Sequence, residues 1–439
     1  MKEPAAIRLD DLREPRLSAT QRTALSLARI VPLRFTEAAV LDAARKRTGL
    51  TDFGAQDFRE RLGLLLRDYQ ADDGLTAVGR KTVHDALVRY ASNRLLIEDA
   101  LARNPAVLDE PVEAPIIVVG LPRTGTTHLL NLMAADDRLR SLPLWQSYEP
   151  VPSGYGRTST SMANAARRAW SWLPGRTRDA ARDDKYADPR YMRCAVQWQL
   201  MQAMAPHLAA MHPMDPDHIH EELELMGPDF ASYVFEWTGL VPRYREHYLR
   251  TDQTPHYAYM KRVLQLLQHG RPKKRWVLKC PQHLEQLPAL KQTFPDATVA
   301  FTHRDPVAVL QSIVTMLAYA QRMGRHRVDV EGLVATWTDR VEQLLDAGVR
   351  DQHVFAGQSV DVRFDDFMAD NLGSVEAIYA VAGLSNTDSV RTTLTRFIDD
   401  HPRGKHGRVT YDPDVLRLDP VALRRRFASY LTRFGMEAA

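Results

Sequence analysis

The sequence predicts an α/β fold: a central parallel sheet flanked by helices, preceded by an N-terminal helical region and interrupted by a helical cap. Three observations carry this prediction. From Ser18 to about Ala106, apolar residues recur at helical spacing, as in Leu62, Leu65, Leu66 and Tyr69. Four short apolar runs, Ile116–Val119, Arg275–Leu278, Thr298–Phe301 and Val360–Phe364, then read as strands buried on both faces, each followed by a helical pattern. Between the first two runs, at about 150–270, the pattern is helical again and rich in Trp, Tyr and Met.

These elements set the expected organisation. A single core usually stops growing at about 250–300 residues, so a chain of 439 residues divides into an N-terminal helical region at 1–110 and a main domain at 111–439 that carries the insertion at about 150–270. The Pro-bounded segment Pro111-Val112-Glu113-Ala114-Pro115 marks the boundary. The stretch Arg157–Arg182, rich in Arg, Ala and Ser, is expected to be a mobile loop.

Composition narrows the function classes. Hydrophobic residues at 44% and charged residues at 26% exclude a disordered or fibrous chain. Lys and Arg total 58 against 55 Asp and Glu, a net charge of +3, so no global basic field calls for nucleic acid. Two cysteines, Cys194 and Cys280, make no disulfide framework, and nothing near them has metal-ligand spacing. With no secretory pattern at the start and no window of ~18 apolar residues, a cytoplasmic protein without a transmembrane segment is expected. The sequence leaves the oligomeric state open.

The first strand runs into Gly120-Leu121-Pro122-Arg123-Thr124-Gly125-Thr126-Thr127 and then an apolar helical pattern. Strand, glycine turn and helix start form a phosphate-binding unit: backbone N–H groups and the positive end of the helix face an anion, with Thr126 and Thr127 adding hydroxyls. The glycine spacing matches the nucleoside-triphosphate loop, but its Lys is Thr126 here and the cation is Arg123, which disfavours ATP or GTP hydrolysis. The second strand ends in Lys279-Cys280-Pro281-Gln282-His283 and the third in His303-Arg304-Asp305-Pro306, with Ser312 following inside a helix. The strand-end residues fall at the carboxyl end of the expected sheet, where open α/β folds bind ligands, whereas periodicity does not by itself bring Ser312 to Arg304.

Together these segments resemble the PAPS-dependent sulfotransferase family (PAPS is 3′-phosphoadenosine 5′-phosphosulfate), in the bacterial branch whose loop carries Arg. The loop resembles the family's 5′-phosphosulfate site, Arg304-Asp305-Pro306 with Ser312 its 3′-phosphate site, and Lys279 to His283 its K-x-P-x-H segment. The resemblance implies that Arg123, Thr124, Gly125, Thr126 and Thr127 hold the 5′-phosphosulfate end, and that Arg304 and Ser312 bind the 3′-phosphate. It implies that Lys405, Gly407 and Arg408 close over that phosphate. Phe364 stands where the family usually has an adenine-contacting Tyr.

Sulfonate transfer is an in-line displacement served by positioning and cations, so the resemblance casts Arg123 and Lys279 as stabilisers. The acceptor hydroxyl must also lose a proton. His283 is the first candidate base, with Glu221 and Glu222 as rivals. No metal is required. The acceptor is a small molecule that the sequence does not name. Trp198, Tyr233, Phe235, Trp237, Tyr244, Tyr248, Tyr257 and Tyr259, with Met192, Met201, Met204, Met211 and Met214, suit either a wall for a bulky lipid, phenol or sterol or an ordinary core. Two alternatives stay open: a kinase-like phosphate-loop transferase and a non-catalytic nucleotide-binding protein.

Overall fold

Four helices open the chain in the computed structural model: α1 (Ala19–Ala28), α2 (Glu37–Thr48), α3 (Phe58–Ala71) and α4 (Ala77–Arg103). The model describes residues 6–30, 33–152, 185, 188–402, 407–410 and 413–436; the loop expected at Arg157–Arg182 lies outside them. Polar caps set the helix starts. The Ser18 hydroxyl accepts the Gln21 N–H while the Gln21 side chain accepts the Ser18 N–H, and Thr36 and Thr76 cap α2 and α4. Gly49, at φ 74°, ends α2 in the left-handed conformation.

The stripe Leu62, Leu65, Leu66 and Tyr69 is buried with Phe230, Phe235, Tyr244 and Tyr248 in one core. The N-terminal helices therefore share their interior with part of the middle region. Tyr233, Tyr257 and Tyr259 sit in the main core. The cores thus claim Tyr233, Phe235, Tyr244, Tyr248, Tyr257 and Tyr259, with Met211, while Met192, Trp198, Met201, Met204, Met214 and Trp237 are half-buried.

The central sheet has five parallel strands in the order β3-β4-β2-β5-β6: β2 (Ile116–Gly120), β3 (Leu139–Arg140), β4 (Arg275–Lys279), β5 (Thr298–His303) and β6 (Ser359–Arg363). Alternation explains their apolar runs. Ile117 and Val119 enter one core with helices Thr254–Gln268, Pro306–Ala320 and Val330–Asp351, whereas Ile116 and Val118 enter another with α5 (Thr126–Ala134) and helices Asn371–Val381 and Asp388–Asp400. The strand read as Val360–Phe364 ends one residue earlier, because Phe364 begins the helix Phe364–Ala369.

A second, two-stranded sheet pairs β1 (Ala6–Arg8) with β7 (Arg408–Thr410) in parallel. Three-residue strands carry no readable periodicity, so this pairing is absent from the expectations above. Cys194 and Cys280 are buried and unbridged.

Candidate active site

Because β4, β2 and β5 are parallel neighbours, their carboxyl ends open on one edge and bring together segments distant in sequence. Gly120 ends β2 so close to β5 that a Cβ there would collide with Thr302 Oγ1. The loop then turns twice through left-handed backbone, at Arg123 (φ 69°) and at Gly125 (φ 84°). Glycine adopts that conformation freely, whereas Arg123 holds it at a cost of about 1–2 kcal/mol. Thr124 Oγ1 pins the turn by donating to Leu121 C=O at 2.7 Å and meeting Thr302 Oγ1 at 2.7 Å. Thr126 and Thr127 are the first residues of α5, so their amides are among those the helix leaves without internal acceptors.

Two arginines and a serine converge on this loop. Arg123 donates from Nε to Ser312 Oγ at 2.9 Å and from Nη1 to Met211 C=O at 2.5 Å. Arg304 donates to Arg123 C=O at 2.6 Å, and its guanidinium lies 4.1 Å from the centre of the Phe364 ring. That ring also closes on Gly125, where a Cβ would approach it to 3.1 Å. Arg304 and Ser312, eight positions apart, thus meet through Arg123.

On the neighbouring strand, Lys279 Nζ lies 3.4 Å from Thr127 Oγ1 and donates to the Glu221 carboxylate. Glu222 faces the other way: Oε2 accepts the Lys279 N–H at 2.9 Å, and Oε1 meets His283 Nε2 at 2.8 Å. His283 Nδ1 lies 2.7 Å from the Tyr257 hydroxyl, and its side chain is 0% exposed. Burial holds the Tyr257 hydroxyl protonated, so it donates to Nδ1 and leaves the Nε2 proton for Glu222. Both nitrogens of His283 are therefore engaged inside the protein. Burial also pushes the Glu221 carboxyl above its ordinary range, opposed by the Lys279 ammonium.

Gly407 (φ 98°) leads into β7, which starts at Arg408 and packs against Leu208–Met211, the segment whose Met211 carbonyl holds Arg123. Lys405 lies outside the described residues. Sequence reasoning passed over His212 and His218, and over His220 as a functional group. Three histidines within nine residues were the available signal. Among the described residues no cluster of His, Cys, Asp or Glu is arranged to hold a metal ion, and no helix is long and apolar enough to cross a membrane.

Comparisons with known proteins identify the family. The model of the Sulfotransferase family matches residues 115–388, from β2 into the helix Asp388–Asp400. The omega-hydroxy-beta-dihydromenaquinone-9 sulfotransferase Stf3 of Mycobacterium tuberculosis, like that of Mycobacterium bovis, is 23% identical over 297 residues, spanning 66% of this chain and 68% of the relative. The crystal structure of sulfotransferase STF1 from Mycobacterium tuberculosis superposes with a TM-score of 0.73 at 29% identity, covering 90% of this chain and 98% of that one. For STF9 from Mycobacterium avium the values are 0.76, 25%, 92% and 97%. The chain belongs to the sulfotransferase family, and it transfers a sulfonate group from a sulfonate donor to the hydroxyl of an acceptor.

Proposed function

We propose that the donor is PAPS, that Glu221 is the general base, and that the acceptor carries its hydroxyl on a large apolar body. The observation that carries this reading is the position of Lys279: one ammonium reaches both Thr127 at the start of α5 and the Glu221 carboxylate. A single cation thereby joins the anion loop to a carboxylate whose proton affinity burial has raised.

In this reading Arg123 and the amides of Thr124 to Thr127 hold the 5′-phosphosulfate, and Arg304 with Ser312 the 3′-phosphate. The acceptor oxygen forms a bond to sulfur as the bond from sulfur to the 5′-phosphate oxygen breaks. Glu221 takes the hydroxyl proton, and adenosine 3′,5′-bisphosphate leaves with the electron pair. Lys279 neutralises charge on the departing oxygen. His283 acts through Glu222, orienting the carboxylate that fixes the backbone of Lys279. Gly407, Arg408 and Lys405 would close over the 3′-phosphate, and Phe364 would lie against the adenine.

The apolar acceptor rests on two points. The helix Pro189–Met204 keeps Met192, Trp198, Met201 and Met204 half-exposed, and the relative Stf3 acts, by its name, on a hydroxylated menaquinone. Calorimetric titration with adenosine 3′,5′-bisphosphate beside ATP tests the donor. Tight binding of the bisphosphate, weak binding of ATP and loss of the former in Arg304→Ala are expected; binding of ATP alone would return the kinase-like reading.

A further inference from the structure

The segment that ends at Glu221 carries three histidines that the scheme above does not use. The short bridge between Pro143 and Ile219 holds its backbone extended, with Leu144 N–H donating to His218 C=O and His220 N–H to Leu142 C=O, both at 2.8 Å. In extended backbone, residues two apart point to the same side. His218 and His220 therefore share a face, their ring centres 6.1 Å apart. His212 completes a triangle, 5.7 Å from His218 and 6.0 Å from His220. It directly follows Met211, whose carbonyl receives Arg123, and His220 directly precedes Glu221.

We propose that His212, His218 and His220 form the site that binds the acceptor's hydroxyl group, and that this site takes an uncharged alcohol or phenol and discriminates against an acceptor with an anionic group beside the hydroxyl. The proposal rests on the placement of the transfer point between Arg123, Lys279 and Glu221.

Two details point to a ligand. His220 is 6% exposed, and its Nδ1 is buried without a hydrogen-bond partner among the described residues. Buried polar atoms are almost always paired, so this nitrogen has a bond to give or to receive. His212 Nδ1 lies 3.2 Å from the Pro213 carbonyl, which fixes the proton there and leaves Nε2 as a lone pair. A lone pair there repels the oxygen of a carboxylate or phosphate, while the hydroxyl proton stays directed at Glu221.

The rings also stay neutral. Burial, then the charges of Lys279 and Arg123, hold His212 down to about 3, and burial and neighbouring rings depress His218 and His220. The groups acting on the triangle are Arg123, Lys279, Arg89 and the rings themselves, and the ring of Tyr148 packs on His220. Protonating one ring opposes its neighbours and the cations. A wall of neutral imidazoles next to the carboxylate of Glu221 offers no counter-charge to an anionic acceptor.

The test compares 2-naphthol with 3-hydroxy-2-naphthoate, which adds a carboxylate beside the same hydroxyl, and includes 1-decanol as an aliphatic alcohol, all with radiolabelled PAPS. The wild type is expected to favour 2-naphthol over the naphthoate at least 30-fold in kcat/KM. His218→Asn and His220→Gln are expected to raise KM for 2-naphthol about 10-fold, with kcat and bisphosphate affinity changed less than threefold. Equal use of the naphthol and the naphthoate, an unchanged KM in both variants, or transfer to neither neutral probe by protein that binds the bisphosphate would overturn the proposal. The wild-type comparison holds even if a variant fails to fold. Failure of the wild type to bind the bisphosphate would instead sink the donor reading.

Discussion

Around Gly120 the groups proposed to meet the donor stand on backbone that the sheet fixes. β2 and β5 pair through Gly120 and Thr302, and Arg123, Thr126 and Thr127 follow within a few residues. Around Glu221 the groups proposed to meet the acceptor stand on an extended stretch between short helices, held by the bridge to Pro143 and by side-chain bonds to Lys279 and His283. One half is placed by hydrogen-bonded strands and the other by a buried polar network. Networks of that kind are sensitive to the loss of any member and to the protonation of their parts. Position on the donor half should therefore fail locally, whereas the acceptor half should respond as a unit.

The largest expected effect separates the halves most sharply. Glu221→Gln should lower the transfer rate by about 10²–10⁴-fold, the usual contribution of a general base, while bisphosphate affinity stays within about threefold. If the rate survives, the acceptor half holds another base. Arg304→Ala should weaken bisphosphate binding by about 10–100-fold, the equivalent of a lost charge-assisted hydrogen bond, and leave the pH profile of transfer unchanged.

The contrast between the halves also explains what the sequence revealed. β2, β4 and β5 were legible because strands buried on both faces read as apolar runs, and the glycine turn follows the first directly. A parallel sheet then requires Arg123, Lys279 and Arg304 to gather at one edge. By contrast, the partners of His283 come from Glu222 on one segment and Tyr257 on a distant helix, a pairing that no periodicity encodes. The tyrosines of the middle region could serve an acceptor wall or, as is commoner for such residues, the core, and packing shows Tyr244 and Tyr248 against the N-terminal helices. The β1–β7 pair was invisible for the same reason: its information lies in two tripeptides at opposite ends of the chain.

Acid should act mainly on the acceptor half. His212, His218 and His220 are depressed in the folded state, whereas unfolded rings titrate near 6.5. Below that value the unfolded chain binds more protons, so their contribution is complete above about pH 6.5 and is lost as pH falls toward the folded values, about 3 for His212. His212 should cost about 2 kcal/mol between pH 7 and pH 5, and His218 and His220 add to the loss in the same direction. Denaturant unfolding at the two pH values should show this loss, and His218→Asn should reduce it. The smallest effect belongs to Tyr257→Phe, which removes one buried hydrogen bond to His283. A loss of about 1 kcal/mol and a rate change under tenfold are expected, and a larger rate change would mean that the orientation of Glu222 governs Lys279.

The β1–β7 ladder bears on how the molecule is made. Domains tend to assemble as the chain emerges from the ribosome, yet Ala6–Arg8 has no partner until Arg408–Thr410 has been synthesised. The helix Leu208–Met211, whose last carbonyl orients Arg123, is backed by that late strand. A chain interrupted before β7 would own every strand of the central sheet and still lack the support behind its principal cation. The ladder thus makes one support of the Arg123 loop a late one, formed only when the two ends of the described chain have met.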